Sequence, residues 1–119
     1  MAKVLVVDDS STVRTEVSGY LSAQGIEVST AVDGLDGLSK IQQDPNLKLV
    51  LCDVNMPNMD GLTMVEKVKQ SGKNISIIML TTESNPNMKQ RGKDAGVKGW
   101  IVKPFNGEAA IAGIKKMIS

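Results

Sequence analysis

The chain has 119 residues, with 14 Lys or Arg, 13 Asp or Glu, no His and one cysteine, Cys52. This length suits a single domain, residues 1–119, and the net charge of +1 gives no general attraction to nucleic acid or anionic membranes. Without histidine the chain lacks the commonest general base and zinc ligand, so its chemistry must use carboxylates, hydroxyls and lysines, a set that favours a hard cation such as magnesium, manganese or calcium.

The first half of the chain predicts two strand–helix pairs. The apolar run from Lys3 to Val7 predicts a strand, and residues at helical spacing follow it. The apolar positions of this helix are Val13, Val17, Tyr20 and Leu21. Residues 26–31 alternate apolar with polar, which is typical of a less buried strand at a sheet edge. A short second helix has the apolar positions Leu35, Leu38 and Ile41.

The centre of the chain predicts the most deeply buried strand. Residues 49–52 are all apolar, as expected of a strand covered on both faces, and the run stops at Asp53. Pro57, Asn58 and Gly61 then supply the residues of a loop. Asp53 is therefore expected where a buried strand meets solvent, which makes its carboxylate a candidate for chemistry. Cys52, inside this strand, is interpreted as a small buried apolar residue.

The second half of the chain predicts three helices and two further strands. A helix with Leu62, Val65 and Val68 on its apolar face precedes a strand at 75–80. The next helix, through 88–95, has few apolar residues and an interior glycine, so we expect it to be the least firmly packed. A last strand at 100–102 precedes the final helix. The residues expected to begin or end these elements are Asp60, Gly72, Gly96, Pro104, Asn106 and Glu108.

Polar residues that could bind a ligand or take part in a reaction follow four of the five predicted strands. They are Asp8 and Asp9 after the first strand, Asp53 and Asn55 after the third, Thr81 after the fourth and Lys103 after the fifth. Helix caps and loop charges explain each of them singly, but explain their recurrence poorly. Strands that alternate with helices form a parallel α/β sheet, whose ligands bind at the carboxyl ends of the strands. Three crowded carboxylates there would require a divalent cation or a lysine to offset their charge.

Four segments of the chain resemble response-regulator receiver domains, in particular the single-domain chemotaxis regulators of the CheY type. The matching segments read VLVVDDS at 4–10, CDVNMPNMDG at 52–61, MLT at 79–81 and VKPF at 102–105. The resemblance spans nearly the whole chain. It implies a flavodoxin-like, doubly wound sheet of five parallel strands in the order 2-1-3-4-5 with five helices.

The resemblance also implies a role for each residue at the strand ends. By it, Asp53 accepts a phosphoryl group from the phosphohistidine of a partner histidine kinase, with one Mg²⁺ per monomer. The implied metal ligands are Asp8, Asp9, Asp53 and the backbone carbonyl of Asn55. Thr81 and Lys103 match the residues that contact the phosphoryl group. These oxygen and lysine groups suit phosphoryl transfer, because the charge on the phosphoryl oxygens must be spread onto cations.

Two positions depart from the commonest receiver pattern. Trp100, with a larger ring, stands where Tyr or Phe usually acts as a switch, and we expect it to report activation. Thr82 stands where a small residue is common, so it can restrict the access of water to an acyl phosphate. Asn55, Thr82 and Glu83 lie at positions that tune the phosphoryl lifetime in the family. The family also suggests a cis bond between Lys103 and Pro104.

The implied function is that of a two-component phosphoprotein in chemotaxis, which controls flagellar rotation through its fourth helix, fifth strand and fifth helix. The expected partners are a histidine kinase, a flagellar motor switch protein and a phosphatase, with no nucleic acid or membrane. We expect a monomer that catalyses only its own phosphorylation and dephosphorylation, and is not otherwise an enzyme. The first apolar run is too short for a signal peptide or a membrane span, which predicts a cytoplasmic protein.

Three alternatives stay open. The first is a phosphate-sink receiver that binds only its kinase. The second is a magnesium-dependent phosphohydrolase with an aspartate nucleophile, although 119 residues leave no room for the usual cap domain. The third is a flavin binder, in which Asp8 and Asp9 would repel the flavin phosphate. Turnover of a small phosphoester would favour the hydrolase, and a yellow protein the flavin binder.

Overall fold

Strands and helices alternate along the chain in a computed structural model that describes residues 3–82, 85–103, 105 and 107–118. The strands are β1 (Lys3–Val7), β2 (Glu27–Ala31), β3 (Leu47–Cys52), β4 (Ser76–Thr81) and β5 (Gly99–Val102). The helices are α1 (Ser11–Ala23), α2 (Gly34–Gln43), α3 (Gly61–Gln70), α4 (Pro86–Asp94) and α5 (Gly107–Ile118). Glu83, Pro104 and Asn106, to which the sequence assigns roles, lie outside the described residues.

The strands form one parallel sheet in the order β2-β1-β3-β4-β5, which confirms the predicted doubly wound fold. β2, predicted at a sheet edge, is an edge strand, and β5 is the other. β1 and β3 pair in the centre, with Val7 opposite Cys52. The residues that follow these two strands therefore emerge side by side at one edge of the sheet.

Alternate residues of β3 enter two separate apolar cores. Val50 and Cys52 belong to the core that α2, α3 and α4 cover, whereas Leu49 and Leu51 belong to the core under α1 and α5. All four side chains are fully buried. Burial of a leucine or valine side chain contributes about 1.5–3 kcal/mol, so the uninterrupted apolar run of β3 explains why this strand is central.

Side-chain caps begin four of the helices. Ser10 caps α1, Asp33 caps α2, Asp60 caps α3 and Asn85 caps α4, each by accepting a hydrogen bond from a backbone N–H of the first turn. Such a cap contributes about 1 kcal/mol. Each of these four helices thus starts at a polar residue near the carboxyl end of a strand. Within the described residues, no helix is long and apolar enough to cross a membrane.

Two apolar positions predicted to face the core are half exposed instead. Leu35 is 51% exposed, because α2 turns the backbone of Gly34 and Gly37 inward. A Cβ on Gly37 would lie only 2.8 Å from the sulfur of Met64, so a larger residue would separate α2 from α3. Tyr20 is 46% exposed and lies beside the Phe105 ring, with 5.6 Å between the ring centroids.

Helix α4 buries one described residue, the interior Gly92. A Cβ at this position would lie 2.9 Å from Cζ2 of Trp100 on β5. The glycine therefore has a packing role: it leaves room for the indole ring beneath the helix. This sparse burial agrees with the expectation that α4 is the least firmly packed helix.

Candidate functional site

Three carboxylates meet at the carboxyl ends of β1 and β3. Asp8 and Asp9 follow β1, Asp53 follows β3, and their carboxylate oxygens lie within 4.8 Å of one another. Asp8 and Asp53 are buried, whereas Asp9 is exposed. The pairing of β1 with β3 brings these residues together, although they are more than forty positions apart in the chain. These three residues form an acidic cluster in which one carboxylate, that of Asp9, is open to solvent.

Lys103, which follows β5, contacts two residues of this acidic cluster. Its Nζ donates a hydrogen bond to Asp8 Oδ2 at 2.8 Å and lies 3.4 Å from Asp53 Oδ2. The lysine side chain is 16% exposed and that of Asp8 is 1% exposed. In this structure the lysine is therefore bound mainly to Asp8, and Asp53 is its second partner.

The electrostatics of the site follow from this crowding. Burial raises the pKa of Asp53, and the neighbouring Asp8 carboxylate raises it further, against the opposing effect of Lys103. Burial lowers the pKa of Lys103, but the hydrogen bond that Lys103 donates to Asp8 and the negative charges of Asp53 and Asp8 outweigh this effect, so the pKa is raised overall. Lys103 is consequently a positive charge beside Asp53, the carboxylate whose phosphorylation the resemblance to receiver domains predicts.

Asp8 is fixed at every polar atom. Its Oδ1 accepts from Ser10 N at 2.9 Å, its Oδ2 accepts from Lys103, and its backbone N donates to Ala31 O at 3.1 Å. Its carbonyl accepts from Nη1 of Arg14 at 2.7 Å. Arg14 is absent from the sequence-based site. A basic residue near the start of a helix, where the dipole disfavours positive charge, is the signal that could have indicated it.

Asp53 is held by its immediate neighbours. Its Oδ1 accepts from Val54 N at 2.8 Å, and its backbone N donates to Val7 O at 2.9 Å. A Cβ on Gly61 would clash with the Asp53 carbonyl, so the start of α3 lies directly against this residue. Burial raises the pKa of the Cys52 thiol well above its usual range, which agrees with a structural role for Cys52.

The remaining predicted residues differ in burial and in their distance from the carboxylates along the chain. Thr81 is buried at the end of β4, where its carbonyl accepts from Lys103 N at 3.0 Å. Asn55 and Thr82 are exposed. Trp100 lies farther along, half-buried under Gly92 of α4. The structure therefore brings Asp8, Asp9, Asp53 and Lys103 into one cluster, and it places Trp100 where β5 meets α4.

The donor set suits a hard divalent cation. Three carboxylates whose oxygens lie within 4.8 Å of one another can share an ion, and Asp9 opens the cluster to solvent. Oxygen donors of this kind are typical of Mg²⁺, Mn²⁺ and Ca²⁺. The acidic cluster is thus a candidate metal site.

Comparison with known proteins identifies a matching family and similar chains. The family model for the response regulator receiver domain matches residues 4–115. The chain is 42% identical to the chemotaxis protein CheY1 of Helicobacter pylori strain 26695 over 106 residues, which cover 87% of this chain and 86% of that protein. It is 44% identical to Vibrio cholerae CheY4, with a TM-score of 0.90 and coverage of 98% of both chains.

A third similarity extends to a liganded relative. The chain is 27% identical to a chain of the CheX–CheY–BeF3–Mg²⁺ complex of Borrelia burgdorferi, with a TM-score of 0.92 and coverage of 99% of this chain and 90% of that one. The acidic cluster, the strand order and these similarities agree with one another. This chain belongs to the receiver domain family of two-component response regulators, with chemotaxis proteins of the CheY type among its homologues.

Proposed function

We propose that this chain is a phosphoacceptor that receives a phosphoryl group on Asp53 from the phosphohistidine of a partner kinase. The observation that supports it is the cluster in which Asp53 lies within 4.8 Å of two further acids and 3.4 Å from Lys103. A carboxylate can attack phosphorus only where positive charge offsets the phosphoryl oxygens. Lys103 supplies one such charge, and the acidic cluster can hold the other as Mg²⁺.

The proposed step exchanges one bond at phosphorus for another. A carboxylate oxygen of Asp53 attacks, the P–N bond to the donor imidazole breaks, and the imidazole takes up a proton as it leaves. Lys103, held charged by its two aspartates, stabilises the phosphoryl oxygens, and the Thr81 hydroxyl is the proposed donor to them. Asp9, Asp53 and the Asn55 carbonyl would hold the metal, with Asp8 adjacent. When bound, Mg²⁺ contributes positive charge to the same oxygens.

The test is phosphoryl incorporation from a small phosphodonor in the presence of Mg²⁺. Wild type should incorporate one phosphoryl group per chain, and Asp53→Asn should incorporate none. Asp94→Asn, which changes an acid on α4, is the matched control and should behave like wild type. Equal incorporation by Asp53→Asn and wild type would contradict the assignment. Sustained turnover of a small phosphoester would favour the hydrolase instead.

The proposed output is control of a flagellar motor in a cytoplasmic chemotaxis pathway, through the surface formed by α4, β5 and α5. The chemotaxis names of the relatives support this output, and the contact between Gly92 and Trp100 links β5 to α4 within that surface. Capture of motor switch proteins by the phosphorylated chain, and not by Asp53→Asn, would support motor control. Phosphoryl uptake from the kinase without such capture would favour the phosphate sink.

A further inference from the structure

The loop that leads from Asp53 to α3 is held in place by a distant turn of the chain. Residues 53–60, which include Asn55, form neither helix nor strand. Asn58 Nδ2 donates to Asp33 Oδ2 at 2.7 Å, and Gly34 N donates to the Met59 carbonyl at 3.1 Å. Asp33 ends the turn between β2 and α2 as the N-cap of the helix, and Gly34 is the first residue of α2. The sheet order places this turn near the loop, because β2 and β3 both lie next to β1 and the carboxyl ends of parallel strands share one edge of the sheet.

Asp33 is a rigid anchor because both of its carboxylate oxygens are engaged. Its Oδ1 accepts from Asp36 N at 2.8 Å as the N-cap of α2, and its Oδ2 accepts from Asn58. The residue is 9% exposed. The cap fixes the carboxylate relative to α2, so the second oxygen can fix the loop relative to the same helix.

Asn58 has an unusual backbone conformation. Its φ of +67° is the one positive value among the described residues other than glycine. The left-handed region is disfavoured for most side chains, and asparagine is one of the few residues that tolerate it. Asn58 therefore supplies both the turn in the backbone and the amide that binds Asp33. Close packing supports the same contact, since a Cβ on Gly34 would clash with the Met59 carbonyl.

We propose that Asp33 and Asn58 are positioning residues for the cation site: by fixing the loop they fix the Asn55 carbonyl, and thereby favour Mg²⁺ over Ca²⁺. This inference rests on the proposed function, in which that carbonyl is a metal ligand. Mg²⁺ requires nearly octahedral ligands at about 2.0–2.1 Å, whereas Ca²⁺ accepts longer and more variable geometry at about 2.3–2.6 Å. A loosened carbonyl therefore weakens Mg²⁺ binding more than Ca²⁺ binding.

The ratio of the Mg²⁺ and Ca²⁺ dissociation constants distinguishes an effect on ligand placement from an effect of lost charge. Removal of the Asp33 charge weakens the attraction of both cations to a similar extent, because both carry two positive charges. A general loss of stability likewise affects both cations. Only a change in the placement of ligands is expected to alter the ratio of the Mg²⁺ and Ca²⁺ dissociation constants.

Two variants remove the contact from either side. Asp33→Ser keeps an N-cap for α2 but lacks the second oxygen, and Asn58→Gly keeps the left-handed backbone but lacks the amide. Calorimetric titration of each variant with Mg²⁺ and with Ca²⁺ gives the dissociation constants. We expect the Mg²⁺ constant to rise about tenfold, the lower end of the range for partners of metal ligands. The Ca²⁺ constant should rise less, so that the preference for Mg²⁺ falls.

The double variant provides a second criterion. Asp33→Ser and Asn58→Gly remove the same hydrogen bond, so the double variant should lose no more Mg²⁺ preference than either single variant. Asp44→Ser is the matched control. Asp44 follows the C-terminal end of the same helix, near the start of β1, and accepts from Lys3 Nζ at 2.7 Å. Its removal also deletes a charge and a contact, but the preference for Mg²⁺ should stay at the wild-type value.

The outcomes distinguish this inference from the proposed function. If wild type binds neither cation, the metal site and the inference both fail. If wild type prefers Mg²⁺ and both single variants keep that preference, the proposed function stands and the positioning role of Asp33 and Asn58 is overturned. Additive losses in the double variant would also overturn the inference, because the two side chains would then act separately.

Discussion

At the scale of single residues, the pairing of Lys103 with Asp8 dominates the energetics of the site. Asp8 is 1% exposed, and Lys103 engages one of its carboxylate oxygens at 2.8 Å. Loss of one partner of a buried ion pair costs about 3–5 kcal/mol, because the other charge stays buried without compensation. We therefore expect Lys103→Met to lower the free energy of unfolding by about 3 kcal/mol in metal-free buffer, as measured by urea denaturation.

A second substitution tests this reason. Asp8→Asn removes the charge that Lys103→Met would leave uncompensated, so the double variant should be more stable than Lys103→Met alone. If the two substitutions destabilise the protein additively, the buried charge of Asp8 is not the cause. Excess Mg²⁺ should restore part of the stability of Lys103→Met, because a bound cation offsets the same carboxylates.

At the scale of elements, one ion pair joins α4 to α3. Arg91 donates to both carboxylate oxygens of Glu66, at 2.8 and 2.7 Å, and also to the Thr63 hydroxyl at 3.2 Å. Thr63 in turn donates to Asp60, the N-cap of α3. With its single buried residue, α4 depends on this pair more than a well-packed helix would. The contact also connects α4 to the helix that begins against Asp53.

The Glu66–Arg91 pair gives the fold a dependence on pH. The hydrogen bond from Arg91 lowers the pKa of Glu66, so the stabilisation is present above the ordinary Glu pKa and is lost as pH falls through the lowered value. Glu66→Gln should therefore reduce the free energy of unfolding by about 0.5–1 kcal/mol at neutral pH, a range suited to partly exposed pairs. The difference from wild type should vanish in acid.

The control for this measurement is Glu16→Gln, which removes an exposed glutamate from α1. It should change the unfolding free energy little at either pH. Hydrogen exchange can locate the effect of Glu66→Gln, since faster exchange is expected in α4 and not in α1. A uniform increase across both helices would mean that the pair stabilises the whole molecule and does not hold α4 in particular.

At the scale of the whole molecule, β5 and the residue that follows it connect the acidic cluster to the proposed output surface. Lys103 joins the acidic cluster, and Trp100, three residues earlier, packs under Gly92 of α4. The expectation that Trp100 reports activation concerns this contact. Mg²⁺ alone should change Trp100 emission little. Addition of beryllofluoride should reduce iodide quenching, as Thr81 turns toward the phosphoryl mimic and the ring becomes more buried.

Gly92→Ala offers a matched test of this movement, because its Cβ would meet the indole ring at 2.9 Å. We expect altered Trp100 emission before any ligand is added and a smaller change with beryllofluoride. An unchanged signal in wild type, with Asp53 shown to be occupied, would mean that the two states differ elsewhere in the molecule.

Much of the fold could be predicted because the apolar patterns are local. The short apolar run at 49–52, which ends at turn-forming residues, predicted a buried strand, and the cap residues indicated where helices begin. The predicted boundaries shift by one or two residues at β2, β3, β4, β5 and α4, where terminal pairing depends on neighbouring strands and turns. The prediction that Leu35 faces the core was wrong, because a periodic pattern does not reveal that two glycines allow α2 to pack through its backbone.

The local patterns were enough to predict the fold class and the edge of the sheet where the acids meet, since parallel strands place their carboxyl ends together whatever their order. Which charges are partners depends instead on the packing of distant segments. Lys103 and Asp8 are 95 residues apart, and the choice of Asp8 over Asp53 depends on distances that the strand register sets. The contact between Asp33 and Asn58 is likewise absent from any local pattern, because the two residues are 25 positions apart and follow strands that do not pair with each other.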